Sequence, residues 1–235
     1  MAPLTRRTIL VTVSAILVLA VIATIVATSI IPLSDSYNTD NVLPSVEVRE
    51  YQGERLSSIV SDFRENSIKG PQHIDLEGDG YRLELAGLVN SPKSLTYEEV
   101  ISLPTYTKVV TLHCVEGWSA KILWEGIKLE DLMQQAGVQR DANTVIFHAY
   151  DGYTSSLPLD FITENDILLA YKMNNVTLPP ERGFPFQVVA EQKFGYKWVK
   201  WITKIELSND PTYKGYWESR GYDNIGNVNR LGDGS

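Results

Sequence analysis

Residues 8–31 contain no charge, no proline and no glycine, and this block constrains the rest of the chain more than any other feature. At 1.5 Å per residue, roughly 20 apolar residues cross the hydrocarbon core of a bilayer, so the run from Thr8 to Ile31 is long enough to span one as a helix. The alternative is a cleaved signal peptide, but the apolar run is long for that, and no clean small-x-small cleavage site precedes Pro32. Arg6 and Arg7 stand before the block, while Asp35, Asp40 and Glu47 follow it. The positive-inside rule then leaves residues 1–7 in the cytoplasm and the remainder outside. The expectation is a single-pass protein of the cell membrane. A polar, aperiodic tether covers 32–45, and an extracytoplasmic domain occupies 46–235. The stretch Leu4 to Leu10 also fits loosely a twin-arginine export signal.

The 235-residue chain carries a formal net charge of -8, which argues against a nucleic-acid partner, since that would need a basic face. From Val46 onward the pattern is one of strands. Tyr81–Val89 alternates apolar and polar residues, Lys108–Leu112 is β-branched, and Thr144–Ala149 ends in the turn Asp151-Gly152. Further strands are expected at 153–159, 168–171, 186–190 and 199–207, with a turn at Asn174-Asn175. Thr96 with Glu99 marks a capped short helix that stops at Pro104, and Leu129–Ala136 reads as a helix ended by Gly137. Residues 50–71 predict loops and short elements. Many strands, few helices and no βαβ rhythm define a β-rich α+β domain. There is no internal repeat.

Cys114 is the only cysteine, so it forms no internal disulfide and no zinc site built on several thiolates. It follows the strand Lys108–Leu112, at a strand end where loops present side chains to a site. Most free cysteines are small buried hydrophobes, and that reading stays open. A catalytic thiol is a second reading. His113 is a poor base for it, because neighbours on a strand point to opposite faces, and His73 and His148 sit in no recognisable catalytic motif. A soft metal centre is a third, but one thiolate cannot hold a metal alone.

The segment Cys114-Val115-Glu116-Gly117-Trp118-Ser119, followed by Trp124-Glu125-Gly126 and Leu129-Glu130-Asp131-Leu132, resembles the metal-binding segment of a family of molybdopterin-binding oxidoreductases. That family includes sulfite oxidase and the periplasmic methionine sulfoxide reductase catalytic subunit. The likeness continues in order through Asp151–Leu159, Leu168–Asn174, Leu178–Pro185, Phe194–Trp201 and Tyr216–Tyr222, and so covers nearly everything after Glu50. It implies a sulfite-oxidase-type molybdopterin-binding domain with Cys114 as the sole protein ligand to molybdenum, or to tungsten in its place. The molybdenum–molybdopterin cofactor would carry the redox chemistry while the protein orients it. The same resemblance places the pterin's phosphate against Lys197, the backbone at Trp198 and Val199, and Lys200. A surface lysine pair is the plain alternative. Asn66 and Ser67 match an early pterin contact, although a simple turn also explains them. Tyr153 matches an active-site tyrosine whose phenol could bond an oxo ligand or an oxyanion, or else a turn tyrosine packed on the rim. Export through the twin-arginine route would suit a domain that folds around this cofactor first.

The chain departs from the family at three points. Arg182 stands where His or Asn is usual before Gly183, and it suits an anion as a fork. Gln187 replaces an arginine, which weakens or shifts one contact. Trp118 replaces an arginine of sulfite oxidases, which makes sulfite a less secure substrate. Arg220 offers a further cation or a surface ion pair. Trp124, Trp198, Trp201, Phe184 and Phe186 are assigned to packing. No haem-attachment motif or iron–sulfur cysteine set is present, so electrons are expected to pass to or from a separate partner, for which a membrane cytochrome or quinone-linked protein is the natural choice beside an anchored domain. The implied function is two-electron oxygen-atom transfer on a small oxyanion or sulfoxide. The alternative is an extracytoplasmic binding module that has lost the metal.

Overall fold

The computed structural model describes residues 46–77 and 80–228. The anchor expected at 8–31, the segment 1–7 and the tether 32–45 lie outside the described residues. Among those described, no helix is long and apolar enough to cross a membrane.

A hairpin opens the domain, with β1 (Glu50–Tyr51) paired to β2 (Glu54–Arg55). Its two turn residues, Gln52 and Gly53, both have positive φ, 50° and 83°. That pairing of left-handed residues matches the right-handed twist of the strands it joins.

Two five-stranded sheets carry the core. In the first, β5 (Tyr106–His113) pairs along its whole length with β6 (Ser119–Lys128). β6 pairs with β9 (Leu168–Met173), and β9 in turn takes β10 (Val176–Thr177) and β11 (Gln187–Val189). All of these pairings are antiparallel. The β6–β9 register shifts between Glu125 and Gly126. A Cβ at Gly126 would lie 2.3 Å from the Leu169 carbonyl oxygen, so only glycine lets the strands close there.

The second sheet runs β4 (Lys93–Leu95), β3 (Leu83–Gly87), β12 (Ile202–Ser208), β7 (Thr144–Ala149) and β8 (Thr154–Pro158). Only β12 and β3 are parallel. On β3, Leu83 and Leu85 are buried while Glu84 between them is exposed, the two-residue period that the sequence shows. Leu83, Leu85, Ile122, Trp124, Ile127, Phe147, Phe186 and Ile205 fill the core.

The short helices close the edges. α1 (Tyr97–Ile101) has the expected capping box: Thr96 Oγ1 accepts from the Glu99 N–H at 3.1 Å, and the Thr96 N–H donates to Glu99 Oε2 at 2.8 Å. α2 (Leu129–Gln134) stops two residues before the expected Ala136, and Gly137 (φ 68°) turns the chain. α3 (Leu159–Glu164) takes over the end of the strand expected at 153–159.

One expected element changes character. The alternation of 199–207 becomes a strand only at Ile202, because Gly195–Lys197 is a 3-10 turn and Trp201 has a φ of 52°. Val199 and Trp201 are buried all the same. Burial of alternate residues in a packed loop produces the sequence signature of a strand without its hydrogen bonds.

Candidate active site

Cys114 lies in the loop that joins β5 to β6. Its N–H donates to the Trp118 carbonyl at 2.9 Å, and its carbonyl accepts from Gly117, whose φ of 86° closes the turn. The thiol faces a cavity of about 410 Å³. Burial pushes its pKa up, against the pull of the Glu116 N–H, while the Glu116 carboxylate adds to the rise and Asn66 opposes it. A bound cation would reverse this balance, since a thiol that coordinates a metal gives up its proton.

Asn66 Nδ2 lies 3.7 Å from Cys114 Sγ and 3.3 Å from Glu116 Oε2. Trp118 Nε1 donates to the same carboxylate oxygen at 3.1 Å, and these two donors hold Glu116 ionised below the usual carboxylate range. Ser67 lines the cavity beside Asn66. None of the three histidines lines the cavity, so no imidazole stands beside the thiol.

The opposite chemistry gathers around Gly183. Arg182 is buried, its Nη2 donates to the Ile59 carbonyl at 2.8 Å, and its guanidinium stacks 4.7 Å from the Phe63 ring. Its Nε is buried without a partner, as is Gln187 Oε1. Gly183 has a φ of 105°, and a Cβ there would press on Lys200 Cβ at 3.1 Å and Gln187 Cβ at 3.2 Å. The glycine therefore lets Arg182, Gln187 and Lys200 share one corner. Lys200 Nζ donates to Glu65 Oε1 at 3.0 Å and to the Glu181 carbonyl at 3.1 Å, and burial lowers its pKa.

Other residues expected at the site have different duties. Lys197 is fully buried, does not line the cavity, and pairs with Glu218 at 2.6 Å. That carboxylate holds it, so it is not placed to meet a phosphate in the cavity. The Trp198 N–H bonds the Gly195 carbonyl (3.0 Å) and the Val199 N–H the Lys197 carbonyl (3.2 Å), both inside the turn. Trp198 lines the cavity and Val199 does not.

Tyr153 lines the cavity, but its hydroxyl donates to the Tyr196 carbonyl at 2.5 Å. Burial drives its pKa far above the ordinary tyrosine range, so it stays a neutral phenol whose oxygen can still accept. Arg220 is exposed and stacks on Tyr216, away from the cavity. Trp217 and Tyr222, from the same motif, do line it, as do Arg64 and Glu65. Their presence in a shared motif was the available signal, but nothing in the sequence said which residue of that motif turned inward.

A single thiol, an amide donor beside it, and an unpartnered Arg182 Nε, an unpartnered Gln187 oxygen and Lys200 in one corner fit a group that is metal-bearing at one end and anionic and heteroatom-rich at the other. On a sheet-rich α+β frame, such a set suits an oxidoreductase domain that binds molybdopterin. The chain belongs to that family: the model of the oxidoreductase molybdopterin binding domain matches residues 69–217.

Among its relatives is the uncharacterized oxidoreductase YuiH of Bacillus subtilis, 38% identical over 143 residues, 60% of this chain and 72% of that protein. The putative protein-methionine-sulfoxide reductase subunit YedZ1 of Azospira oryzae is 32% identical over 72% of this chain and 65% of its own length. Human mitochondrial sulfite oxidase is 30% identical over 68% of this chain but only 34% of its own length. The sulfane dehydrogenase SoxCD of Paracoccus pantotrophus superposes with a TM-score of 0.55 and 21% identity, covering 77% of this chain and 55% of that one, and so shares the fold.

Proposed function

We propose that this chain is a membrane-anchored, outward-facing molybdopterin oxidoreductase that removes the oxygen atom from small neutral sulfoxides. The observation that carries the reading is the meeting of Cys114, Asn66, Arg182, Lys200 and Tyr153 around one cavity, from segments far apart in sequence. When bound, the cofactor supplies a two-electron redox centre and an oxygen-accepting position. Cys114 would hold the metal, with Asn66 donating toward its sulfur. Arg182, Gln187 and Lys200 would hold the polar end of the pterin.

The charges favour a neutral substrate. Arg64, Arg182 and Lys200 face Glu65, Glu116, Asp151 and Glu181, and Glu65 already pairs with Lys200. Once Arg182 and Lys200 serve the cofactor, little positive charge is left for a dianion such as sulfite. Trp118 stands where sulfite oxidases have arginine. The aromatic side chains of Tyr153, Tyr196, Trp217 and Tyr222 supply apolar wall for the substituents of a sulfoxide. In the balanced reaction a sulfoxide takes up two electrons and two protons, its sulfur–oxygen bond breaks, and the sulfide and one water leave. The electrons come from a membrane cytochrome or quinone-linked partner. The apolar block 8–31 behind Arg6 and Arg7 supports the anchor and its orientation.

The test is a substrate panel on protein made in a host that synthesises molybdopterin. Methyl aryl sulfoxides with reduced viologen should turn over, and sulfite with ferricyanide should not. Sulfite turnover without sulfoxide turnover would reverse the assignment. Protein that takes up neither metal nor pterin would favour a binding module.

A further inference from the structure

The C-terminal segment is stitched to the site by a buried ionic network that the proposed chemistry does not use. Lys197 Nζ and Glu218 Oε1 stand 2.6 Å apart, both side chains at 0% exposure. Ser155 Oγ donates to the same Glu218 oxygen at 2.5 Å, and Lys197 Nζ also donates to the Asn224 carbonyl at 2.9 Å. Glu218 thus joins three segments: β8, the 3-10 turn Gly195–Lys197 and the strap 215–228. Each contributes to the cavity wall next to its anchor point. Tyr153 precedes Ser155, Tyr196 precedes Lys197, and Trp217 precedes Glu218.

The rest of the strap follows the same plan. The Tyr216 N–H donates to the Thr154 carbonyl at 2.9 Å, and Gly215 approaches so closely that a Cβ would sit 2.3 Å from that oxygen. Tyr196 Oη donates to the Asp223 carbonyl at 2.6 Å, and Tyr222 packs on Trp217 with ring centroids 5.1 Å apart. A buried charge pair gains little net stability compared with apolar residues of similar volume, so stability alone does not account for this one.

We infer that Glu218 is a positioning residue that sets the substrate-binding wall of Tyr153, Tyr196, Trp217 and Tyr222. The inference rests on the proposed sulfoxide chemistry for the role of that wall and for its kinetic readout, while the seating of the strap stands on the geometry alone. Without the pair, the strap keeps its backbone contacts to β8 but loses its fixed seat, and the wall loosens around the substrate rather than around the metal.

The experiment compares the full-length, cofactor-loaded protein with Lys197→Met/Glu218→Leu and with Ser155→Ala. Kinetics are read with methyl p-tolyl sulfoxide and reduced viologen, and amide hydrogen exchange is read over peptides within 213–228. The double variant should raise KM about tenfold or more with kcat changed by less than about threefold, and should exchange faster in the strap. Ser155→Ala should move both readouts the same way by a smaller factor, and it decides the matter alone if the double variant does not fold. An unchanged KM and unchanged strap exchange in the folded variants would overturn the inference. If the wild type reduces no sulfoxide, the functional proposal fails, while the exchange comparison still decides the role of Glu218.

Discussion

Asn174 offers a severe test of how the stretch around Ser57 is tied to β6. It is fully buried and has a positive φ of 46°. Its Oδ1 accepts from the Leu123 N–H at 3.0 Å, and its Nδ2 donates to Glu47 Oε1 at 2.7 Å and to the Ser57 carbonyl at 2.8 Å. Glu47 keeps the Ile59 N–H (2.8 Å) and Ser58 Oγ (3.2 Å) if Asn174 is lost. The Leu123 N–H and the Ser57 carbonyl lose their side-chain partner. Each buried group left unsatisfied costs roughly 1–3 kcal/mol. Alanine in the left-handed region adds about 1 kcal/mol. Asn174→Ala should therefore destabilise by about 3–7 kcal/mol, a large part of the roughly 5–15 kcal/mol available to a typical domain. Asn174→Gly loses the same hydrogen bonds without the left-handed strain and should be about 1 kcal/mol less damaging. Urea unfolding followed by tryptophan fluorescence measures both, with the midpoint shifting at constant m. The reasoning fails if Asn174→Ala lies within about 1 kcal/mol of the wild type, or if the glycine variant is no better than the alanine one.

Two further outcomes are expected. Lys193 is buried over the Phe161 ring and bonded to Asn227 Oδ1, and burial lowers its pKa to about 8. The unfolded chain then binds more protons than the folded one between about pH 8 and the ordinary lysine value near 10.4. Stability therefore gains a component that rises with pH across that window, and below it the buried charge is a constant cost. Lys193→Met should lack this rise in urea titrations at pH 7 and pH 10. Cys114→Ser should abolish turnover and change the metal-centre absorption while keeping part of its metal by elemental analysis, since the pterin holds the metal too.

Chain chemistry that acts locally was legible in the sequence. The capping box of Thr96 and Glu99 forms as its spacing demands, and Leu83 and Leu85 bury as their alternation requires. Gly137 turns the chain after α2, and Cys114 follows its strand into a cavity loop. Each of these depends on neighbours a few residues away, and period and turn chemistry encode such neighbours directly. The motif order around Cys114 also carried the resemblance to the family that its domain model matches.

What the sequence could not fix was which polar groups meet. Lys197 and Lys200 are three residues apart, yet one is sealed against Glu218 while the other reaches the cavity. Residues three apart on a strand already face opposite sides, so the spacing alone did not say which lysine meets the cavity; the partners that the 3-10 turn and the left-handed Trp201 bring to each one decide it. The unpartnered Arg182 Nε and Gln187 Oε1 become one corner only because Gly183 allows the segments carrying them to touch. Local sequence determined the strands, caps and turns and the strand end that carries the one cysteine. Tertiary packing decided which charges pair, which polar atoms are left without a partner and which side chains line the cavity, because burial and pairing depend on segments that meet only when the sheets are assembled.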